Sequence, residues 1–128
     1  MAKILILEDD HFLAKAYVAI LEKEGYQVNH VTNGLKGIEL TKNEDFDIIL
    51  LDILMPELGG MEFLRIFRPQ IHPETKVIVF SNMSTQESIH EAMKLGAHKY
   101  LTKATVSPRE MAELINNTLE GTEEKAEE

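Results

Sequence analysis

The chain has 128 residues, 44% of them hydrophobic and 27% charged, which is the size and composition of one globular domain with a single core. Its net charge of -9 argues against direct binding to nucleic acid or to an anionic membrane. The absence of cysteine excludes disulfides and thiolate chemistry, and no apolar run is long enough for a membrane span or a signal peptide, so we expect a cytoplasmic protein.

Five strand-like segments alternate with helical patterns along the chain. Three of them are continuous apolar runs, at residues 4–7, 48–51 and 77–80, and such runs are typical of strands buried on both faces. Two segments of mixed polarity, at residues 27–31 and 98–102, are typical of strands at the edges of a sheet. The pattern therefore predicts three central strands and two edge strands.

Helices are predicted between the strands from the spacing of apolar residues. The predicted buried faces of the first, fourth and fifth helices are Leu13, Ala16, Tyr17, Ile20 and Leu21; Ile89, Ala92 and Met93; and Met111, Leu114, Ile115 and Leu119. Two shorter helices are predicted at residues 34–42 and 60–67. The end signals are two C-terminal glycines and two capping boxes: Gly25, Gly96, residues 84–87 and residues 107–110.

Strict alternation of strand and helix predicts an α/β fold with a parallel sheet and right-handed crossovers. Because the first, third and fourth strands must be central, the order 2-1-3-4-5 satisfies the pattern. This is the order of the flavodoxin-like, doubly wound (βα)5 fold. In such a sheet, ligands bind at the carboxyl ends of the strands where the order reverses, between the first and third strands.

Acidic residues follow the two strands that meet at this point. Glu8, Asp9 and Asp10 come directly after the first strand, and Asp52 comes directly after the third. Neighbouring carboxylates repel one another unless a cation lies between them, and oxygen ligands suit Mg²⁺. An acidic residue at this position can also cap the following helix, which is the interpretation we favour for Asp10. For Glu8, Asp9 and Asp52 together we favour metal binding.

A hydroxyl and an ammonium group are predicted at the same edge of the sheet. The fourth strand ends near Ser81 and the fifth near Lys103. Singly, each residue is more typical of an ordinary turn. Together with the acids they supply a carboxylate nucleophile, metal ligands and phosphoryl-binding groups, which favours phosphoryl transfer onto an aspartate.

At this point the chain resembles the receiver domain of two-component response regulators, in the single-domain form typified by chemotaxis regulators. The motifs that carry the resemblance are residues 4–10 (ILILEDD), 51–60 (LDILMPELGG), 79–81 (VFS) and 100–103 (YLTK). The resemblance implies these roles: Asp52 as phosphoacceptor, Glu8, Asp9, Asp52 and the carbonyl of Leu54 as Mg²⁺ ligands, Ser81 and Lys103 as phosphoryl ligands, and Ser81 with Tyr100 as switch residues.

The resemblance also implies partners and an output. Asp52 would receive its phosphoryl group from the phosphohistidine of a sensor histidine kinase or a phosphotransfer protein. The face formed by the fourth helix, fifth strand and fifth helix would then change for an unknown downstream protein partner, in a monomer or a phosphorylation-dependent homodimer. The module would catalyse only its own phosphoryl transfer and dephosphorylation.

One residue departs from the family pattern, and one segment lies outside it. Ala104 follows Lys103, whereas the family usually has proline there in a cis peptide. A cis bond before a residue other than proline costs about 3 to 4 kcal/mol, so we expect a trans Lys103–Ala104 bond. The receiver domain is predicted to span residues 1–119, and residues 120–128 to form an acidic, disordered tail.

Three other functions fit parts of the pattern. A Mg²⁺-dependent phosphohydrolase could use Asp52 as nucleophile, but no second acid stands two residues further on, at Leu54. A flavodoxin-like cofactor carrier would need a hydroxyl- and glycine-rich loop where the acids of residues 8–10 stand. A receiver-like scaffold that is never phosphorylated is disfavoured by the intact set of site residues.

Overall fold

The computed structural model of the chain describes residues 1–121. The strands are β1 (Lys3–Leu7), β2 (Gln27–Val31), β3 (Ile48–Leu51), β4 (Lys76–Ser81) and β5 (Lys99–Thr102). The helices are α1 (His11–Lys23), α2 (Gly34–Asn43), α3 (Gly60–Phe67), α4 (Gln86–Lys94) and α5 (Pro108–Glu120), with 3₁₀ turns at Pro69–Ile71 and Lys103–Thr105. Within residues 1–121, none of these helices combines the length and the apolar character that crossing a bilayer requires.

All strand pairs are parallel, and the order is β2-β1-β3-β4-β5, which confirms the predicted topology. Leu7 pairs with Leu51, so the residues that follow β1 and β3 emerge side by side. Ser81 pairs with Thr102 at the ends of β4 and β5. The register therefore places all four strand ends along one edge of the sheet.

The sheet separates two apolar layers. Residues of β1 alternate between them, with Ile4 and Ile6 facing α1 and α5 and with Leu5 and Leu7 facing the opposite layer, which includes residues of α3 and α4. The central strands β1 and β3 are fully buried except for Lys3, as the apolar runs predict. Full burial of each such aliphatic side chain contributes about 1.5–3 kcal/mol, which makes the three central strands a rigid base for the groups at their ends.

Most of the predicted helix ends are confirmed. Asp10 is the N-cap of α1 and its side chain accepts the N–H groups of Phe12 and Leu13. Ser107 and Glu110 form the predicted capping box of α5. The predicted box at residues 84–87 is wrong by one residue, because Thr85 is the N-cap of α4, and the Ser84 hydroxyl instead accepts a bond from Thr102.

The predicted helix faces need two corrections. Ala16 is exposed, because the buried stripe of α1 consists of Ala14, Tyr17 and Leu21, and Ala16 lies about 100° round the helix from Tyr17. Met93 is 42% exposed because Ala92 and Ser88, four residues apart, form the inner stripe of α4. At the C-terminus, α5 continues to Glu120, one residue beyond the predicted domain end. The rest of the predicted tail, residues 122–128, lies outside the described residues.

Candidate functional site

Glu8 and Asp52 are held at the sheet edge by main-chain hydrogen bonds that continue the sheet. The Glu8 N–H donates to the carbonyl of Val31 at 3.1 Å, and the Asp52 N–H donates to the carbonyl of Leu7 at 3.1 Å. Glu8 is 0% exposed and Asp52 is 3% exposed. We call Glu8, Asp9 and Asp52 the acidic corner.

Glu8 is a buried carboxylate with few donors around it. Its Oε2 accepts the Asp10 N–H at 2.8 Å, and its Oε1 lies 2.8 Å from the Lys103 Nζ but receives no hydrogen bond of good geometry. Burial raises the pKa of the Glu8 carboxyl, and the Lys103 ammonium and the Asp10 N–H offset only part of that effect. The backbone carbonyl of Glu8 accepts a bond from the Nε2 of His30 at 2.6 Å, which requires the proton to be on that nitrogen.

The acidic corner fits a divalent cation. One carboxylate oxygen from each of Glu8, Asp9 and Asp52 lies within 4.8 Å of the other two, and Asp9 is the exposed member of the three. Against these three carboxylates, Lys103 contributes one ammonium, so negative charge is in excess. A hard cation such as Mg²⁺ would neutralise this excess and would bind the poorly satisfied Oε1 of Glu8.

Asp52 has a different partner on each carboxylate oxygen. Oδ1 accepts the Leu54 N–H at 3.1 Å, and Oδ2 accepts a bond from the Lys103 Nζ at 2.7 Å. The loop after Asp52 packs tightly on α3, because a Cβ atom at Gly60 would lie 2.6 Å from the Ile53 Cα and 2.7 Å from the Asp52 carbonyl. Only glycine fits there, which explains the second glycine of the 51–60 motif.

Leu54 is placed next to Asp52, but its predicted role as a metal ligand through its carbonyl stays a prediction. Its N–H group bonds to Asp52, and its side chain is 52% exposed. The backbone of Leu54 is therefore anchored at the site while its side chain faces outward.

Lys103 crosses from the end of β5 to the acidic corner. Its Nζ lies 2.7 Å from Asp52, 2.8 Å from Glu8 and 5.5 Å from the centre of the Phe80 ring. Burial disfavours its charged form, but the hydrogen bond to Asp52 and the nearby carboxylate of Glu8 together outweigh burial and raise the pKa of Lys103 above its usual value. The ammonium is therefore held in place as a permanent positive charge beside Asp52.

Ser81 and Tyr100 are joined through the backbone of one loop residue, Met83. The Ser81 hydroxyl, which is fully buried, accepts the Met83 N–H at 3.1 Å. The Tyr100 hydroxyl donates to the Met83 carbonyl and lies 3.2 Å from the hydroxyl of Ser88. We call Ser81, Tyr100 and Lys103 the switch corner.

One protein-family model matches most of the chain. It is that of the response regulator receiver domain, and it covers residues 4–116. This chain is a response regulator receiver domain. Its five-stranded order and its acidic cluster agree with that assignment.

Similar proteins include members of different architecture. The receiver domain is 34% identical over 115 residues to the chemotaxis protein CheY of Thermotoga maritima, covering 89% of this chain and 94% of that protein. It is 35% identical over 101 residues to the cell cycle response regulator CtrA of Brucella ovis, covering 79% of this chain but only 43% of that protein.

Solved structures show the same fold. A CheY-like receiver domain from Methanospirillum hungatei has a TM-score of 0.88 at 30% identity, covering 95% of this chain and 96% of that one. The BeF3-activated DrrB receiver domain has a TM-score of 0.82 at 28% identity, covering 94% and 98%.

The receiver domain accommodates the missing proline with a trans bond. The residues described by the structure contain no cis peptide, so the Lys103–Ala104 bond is trans, as expected. Lys103 nevertheless reaches Asp52, because it begins a 3₁₀ turn that directs its side chain back over Phe80.

Two polar contacts of this receiver domain were missed from the sequence. The Ser88 hydroxyl lies inside the cluster formed by Met83, Thr85 and Tyr100, and the Asn82 side chain accepts the Ala104 N–H at 3.0 Å. The sequence indicates these contacts only in that most residues directly after β4 are polar. The strand pattern does not predict which residues those polar side chains contact.

Proposed function

We propose that this receiver domain accepts a phosphoryl group on Asp52 from the phosphohistidine of a sensor histidine kinase or a phosphotransfer protein. The observation that carries the proposal is the position of the buried Asp52 carboxylate, in contact with the Lys103 ammonium and within the acidic cluster. Such a carboxylate has an adjacent positive charge for the incoming phosphoryl oxygens and adjacent acids that can hold a metal ion.

The transfer is a substitution at phosphorus. One carboxylate oxygen of Asp52 forms a bond to phosphorus, and the bond from phosphorus to the donor imidazole nitrogen breaks. That nitrogen takes up a proton from solvent, so the products are an acyl phosphate and the neutral donor histidine. Glu8, Asp9 and Asp52, together with the Leu54 carbonyl, would hold Mg²⁺, and the ion would supply positive charge for the phosphoryl oxygens. Lys103 supplies the second positive charge and stays close to Asp52. Under this proposal the domain catalyses only its own phosphoryl transfer and dephosphorylation.

The switch corner offers a route from the phosphoryl group to the surface. The Ser81 hydroxyl accepts a hydrogen bond from the Met83 N–H. If the hydroxyl turns towards the phosphoryl group, that hydrogen bond breaks. The carbonyl of Met83 holds Tyr100, so a change at Ser81 alters the position of Tyr100. Ser88 lies in the same cluster at the start of α4, and the face formed by α4, β5 and α5 changes as a result.

That face is the proposed surface for the downstream protein partner or for a second copy of the domain. The donor kinase or phosphotransfer protein would instead approach the strand-end edge that carries Asp52. The relative described as a BeF3-activated receiver domain supports the use of the same reagent to hold the phosphorylated-like state here.

The test is phosphorylation by acetyl phosphate in Mg²⁺, followed by intact mass spectrometry. We expect one added phosphoryl group, dependent on Mg²⁺ and lost in Asp52→Asn. Size-exclusion chromatography with and without BeF3 then reports whether the modified domain dimerises. Labelling that persists in Asp52→Asn, or no labelling of the unsubstituted protein, would contradict the assignment and favour a scaffold that is never phosphorylated.

A further inference from the structure

Asn82 bridges the loop after β4 and the turn after β5. Its side-chain Oδ1 accepts the backbone N–H of Ala104 at 3.0 Å. That N–H belongs to the peptide bond that directly follows Lys103, so the contact holds the main chain next to the residue whose ammonium reaches Asp52 and Glu8.

The turn that carries Lys103 has one side-chain bond of its own, in which the Thr105 hydroxyl donates to the Thr102 carbonyl at 3.0 Å, and one weak main-chain bond. The Val106 N–H reaches the Lys103 carbonyl at 3.4 Å, beyond the usual range of about 2.7–3.2 Å for a good N–H···O bond. Ala104 and Thr105 are exposed, so packing contributes little there. A long, flexible lysine side chain also loses much rotamer freedom on being fixed. A contact that fixes the backbone at this turn therefore has a direct effect on where the ammonium lies.

The contact depends on the residue that departs from the family pattern. A proline at position 104 would have no N–H group for Asn82 to accept, whereas Ala104 has one. We propose that Asn82 is a positioning residue for Lys103, acting through the Ala104 N–H to keep the Lys103 ammonium beside Asp52. The proposal rests on the proposed function in treating Lys103 as a phosphoryl ligand.

Two substitutions at Asn82 distinguish the effect of its hydrogen bond from the effect of its side-chain volume. Asn82→Leu keeps a similar shape but removes the acceptor, whereas Asn82→Asp keeps an acceptor oxygen in the same place. Because Asn82 is exposed, both variants should fold. The matched control is Ser84→Ala. It removes another hydrogen bond between the loop after β4 and the end of β5, in which the Thr102 hydroxyl donates to the Ser84 hydroxyl at 3.1 Å. That bond does not involve the peptide after Lys103.

The first measurement does not depend on phosphorylation. The Lys103 side chain passes over the Phe80 ring, so its methylene protons should carry a ring-current shift in the NMR spectrum. We expect Asn82→Leu to reduce that shift, and Asn82→Asp and Ser84→Ala to preserve it. An unchanged Lys103 shift in Asn82→Leu would overturn the proposal, even if Asp52 proved not to be a phosphoacceptor.

The second measurement is the rate of phosphorylation by acetyl phosphate in saturating Mg²⁺. We expect Asn82→Leu to slow it about three- to tenfold, the ratio associated with one neutral hydrogen bond, and Asn82→Asp to stay close to the unsubstituted rate. In a Lys103→Met background, Asn82→Leu should cause no further loss, since its effect passes through Lys103. Equal slowing by Ser84→Ala, or a full additional loss in the Lys103→Met background, would refute the positioning role.

Discussion

The acidic corner and the switch corner lie at the same edge of one sheet, but they are built in different ways. Glu8 and Asp52 directly follow buried strands, and their own N–H groups continue the sheet's hydrogen bonding to Val31 and Leu7. The side chains of Ser81 and Tyr100 instead bond to the N–H and the C=O of Met83, in a loop, and Lys103 lies past the end of its strand in a short turn.

The difference separates a fixed part of the site from an adjustable one. Moving Glu8 or Asp52 would break main-chain bonds of central strands whose side chains are fully buried. Turning the side chain of Ser81 or Tyr100 requires the exchange of a few hydrogen bonds, to the Met83 backbone and, for Tyr100, also to Ser88, each with a net value of about 1 kcal/mol. The arrangement is suited to holding a metal ion rigidly on one side while conformation changes on the other.

The largest expected effect comes from disturbing the fixed part. Gly60→Ala would place a Cβ atom 2.6 Å from the Ile53 Cα and 2.7 Å from the Asp52 carbonyl, both of them main-chain atoms. We expect the free energy of unfolding to fall by about 1–3 kcal/mol, and acetyl phosphate labelling of Asp52 to slow, because the loop must shift. Urea denaturation and intact mass spectrometry measure the two effects.

The adjacent glycine provides the control. A Cβ atom at Gly59 would first meet the flexible Glu62 carboxylate at 3.1 Å, with the nearest main-chain atom, the Ile53 carbonyl oxygen, at 3.4 Å. Gly59→Ala should therefore lower the free energy of unfolding much less than Gly60→Ala does. If the two variants are equally stable and equally active, the acidic corner is not as rigid as the structure indicates.

A smaller effect is expected from removing the buried charge of Glu8. Because burial raises its pKa, ionised Glu8 destabilises the Mg²⁺-free protein near neutral pH. Glu8→Gln should therefore raise the unfolding midpoint without Mg²⁺, and should weaken Mg²⁺ affinity at least tenfold. Asp9→Asn, at the exposed member of the cluster, should weaken Mg²⁺ binding without the gain in stability. A similar gain in stability in both variants would show that the buried charge of Glu8 has no particular destabilising effect.

The pH dependence has a defined sign. The favourable contribution of protonated Glu8 is complete below the ordinary glutamate pKa of about 4.3 and is lost as pH rises through its raised native pKa. The difference in unfolding free energy between Glu8→Gln and the unsubstituted Mg²⁺-free protein should therefore grow as pH rises through that window. A free-energy difference that shrinks with rising pH would contradict the conclusion that ionised Glu8 destabilises the protein.

The smallest effect concerns two apolar residues, one in each of the loops that follow Asp52 and Ser81. Leu54 lies two residues beyond Asp52, and its N–H group donates to the Asp52 carboxylate. Met83 lies two residues beyond Ser81, and its N–H group donates to the Ser81 hydroxyl. Neither the Leu54 nor the Met83 side chain can orient a water molecule well, so we expect slow loss of the phosphoryl group. The double variant Leu54→Asn, Met83→Glu should dephosphorylate about three- to tenfold faster, timed by mass spectrometry in Mg²⁺. Equal or slower loss in the variant would contradict the role of water access.

The fixed part of the site could be predicted because it depends on strand ends. Once the apolar runs at residues 4–7 and 48–51 are placed as adjacent central strands, the acids that follow them must meet. Asp10 could likewise be assigned to the start of α1 from its position alone. The adjustable part could be predicted only as a set of residue types, and the capping box at residues 84–87 was misplaced because Ser84 and Thr85 are both good N-caps.

By itself, the sequence determined the strand order, the two buried layers and the meeting of Glu8 with Asp52, because hydrophobic period and strand length carry that information locally. Only the tertiary structure decided that Met83 joins Ser81 to Tyr100 and that Asn82 holds the peptide after Lys103. The Tyr100–Met83 and Asn82–Ala104 contacts join residues 17 and 22 positions apart in the chain. Loop side chains follow no period, so their partners are set by how the folded strands bring the loops together.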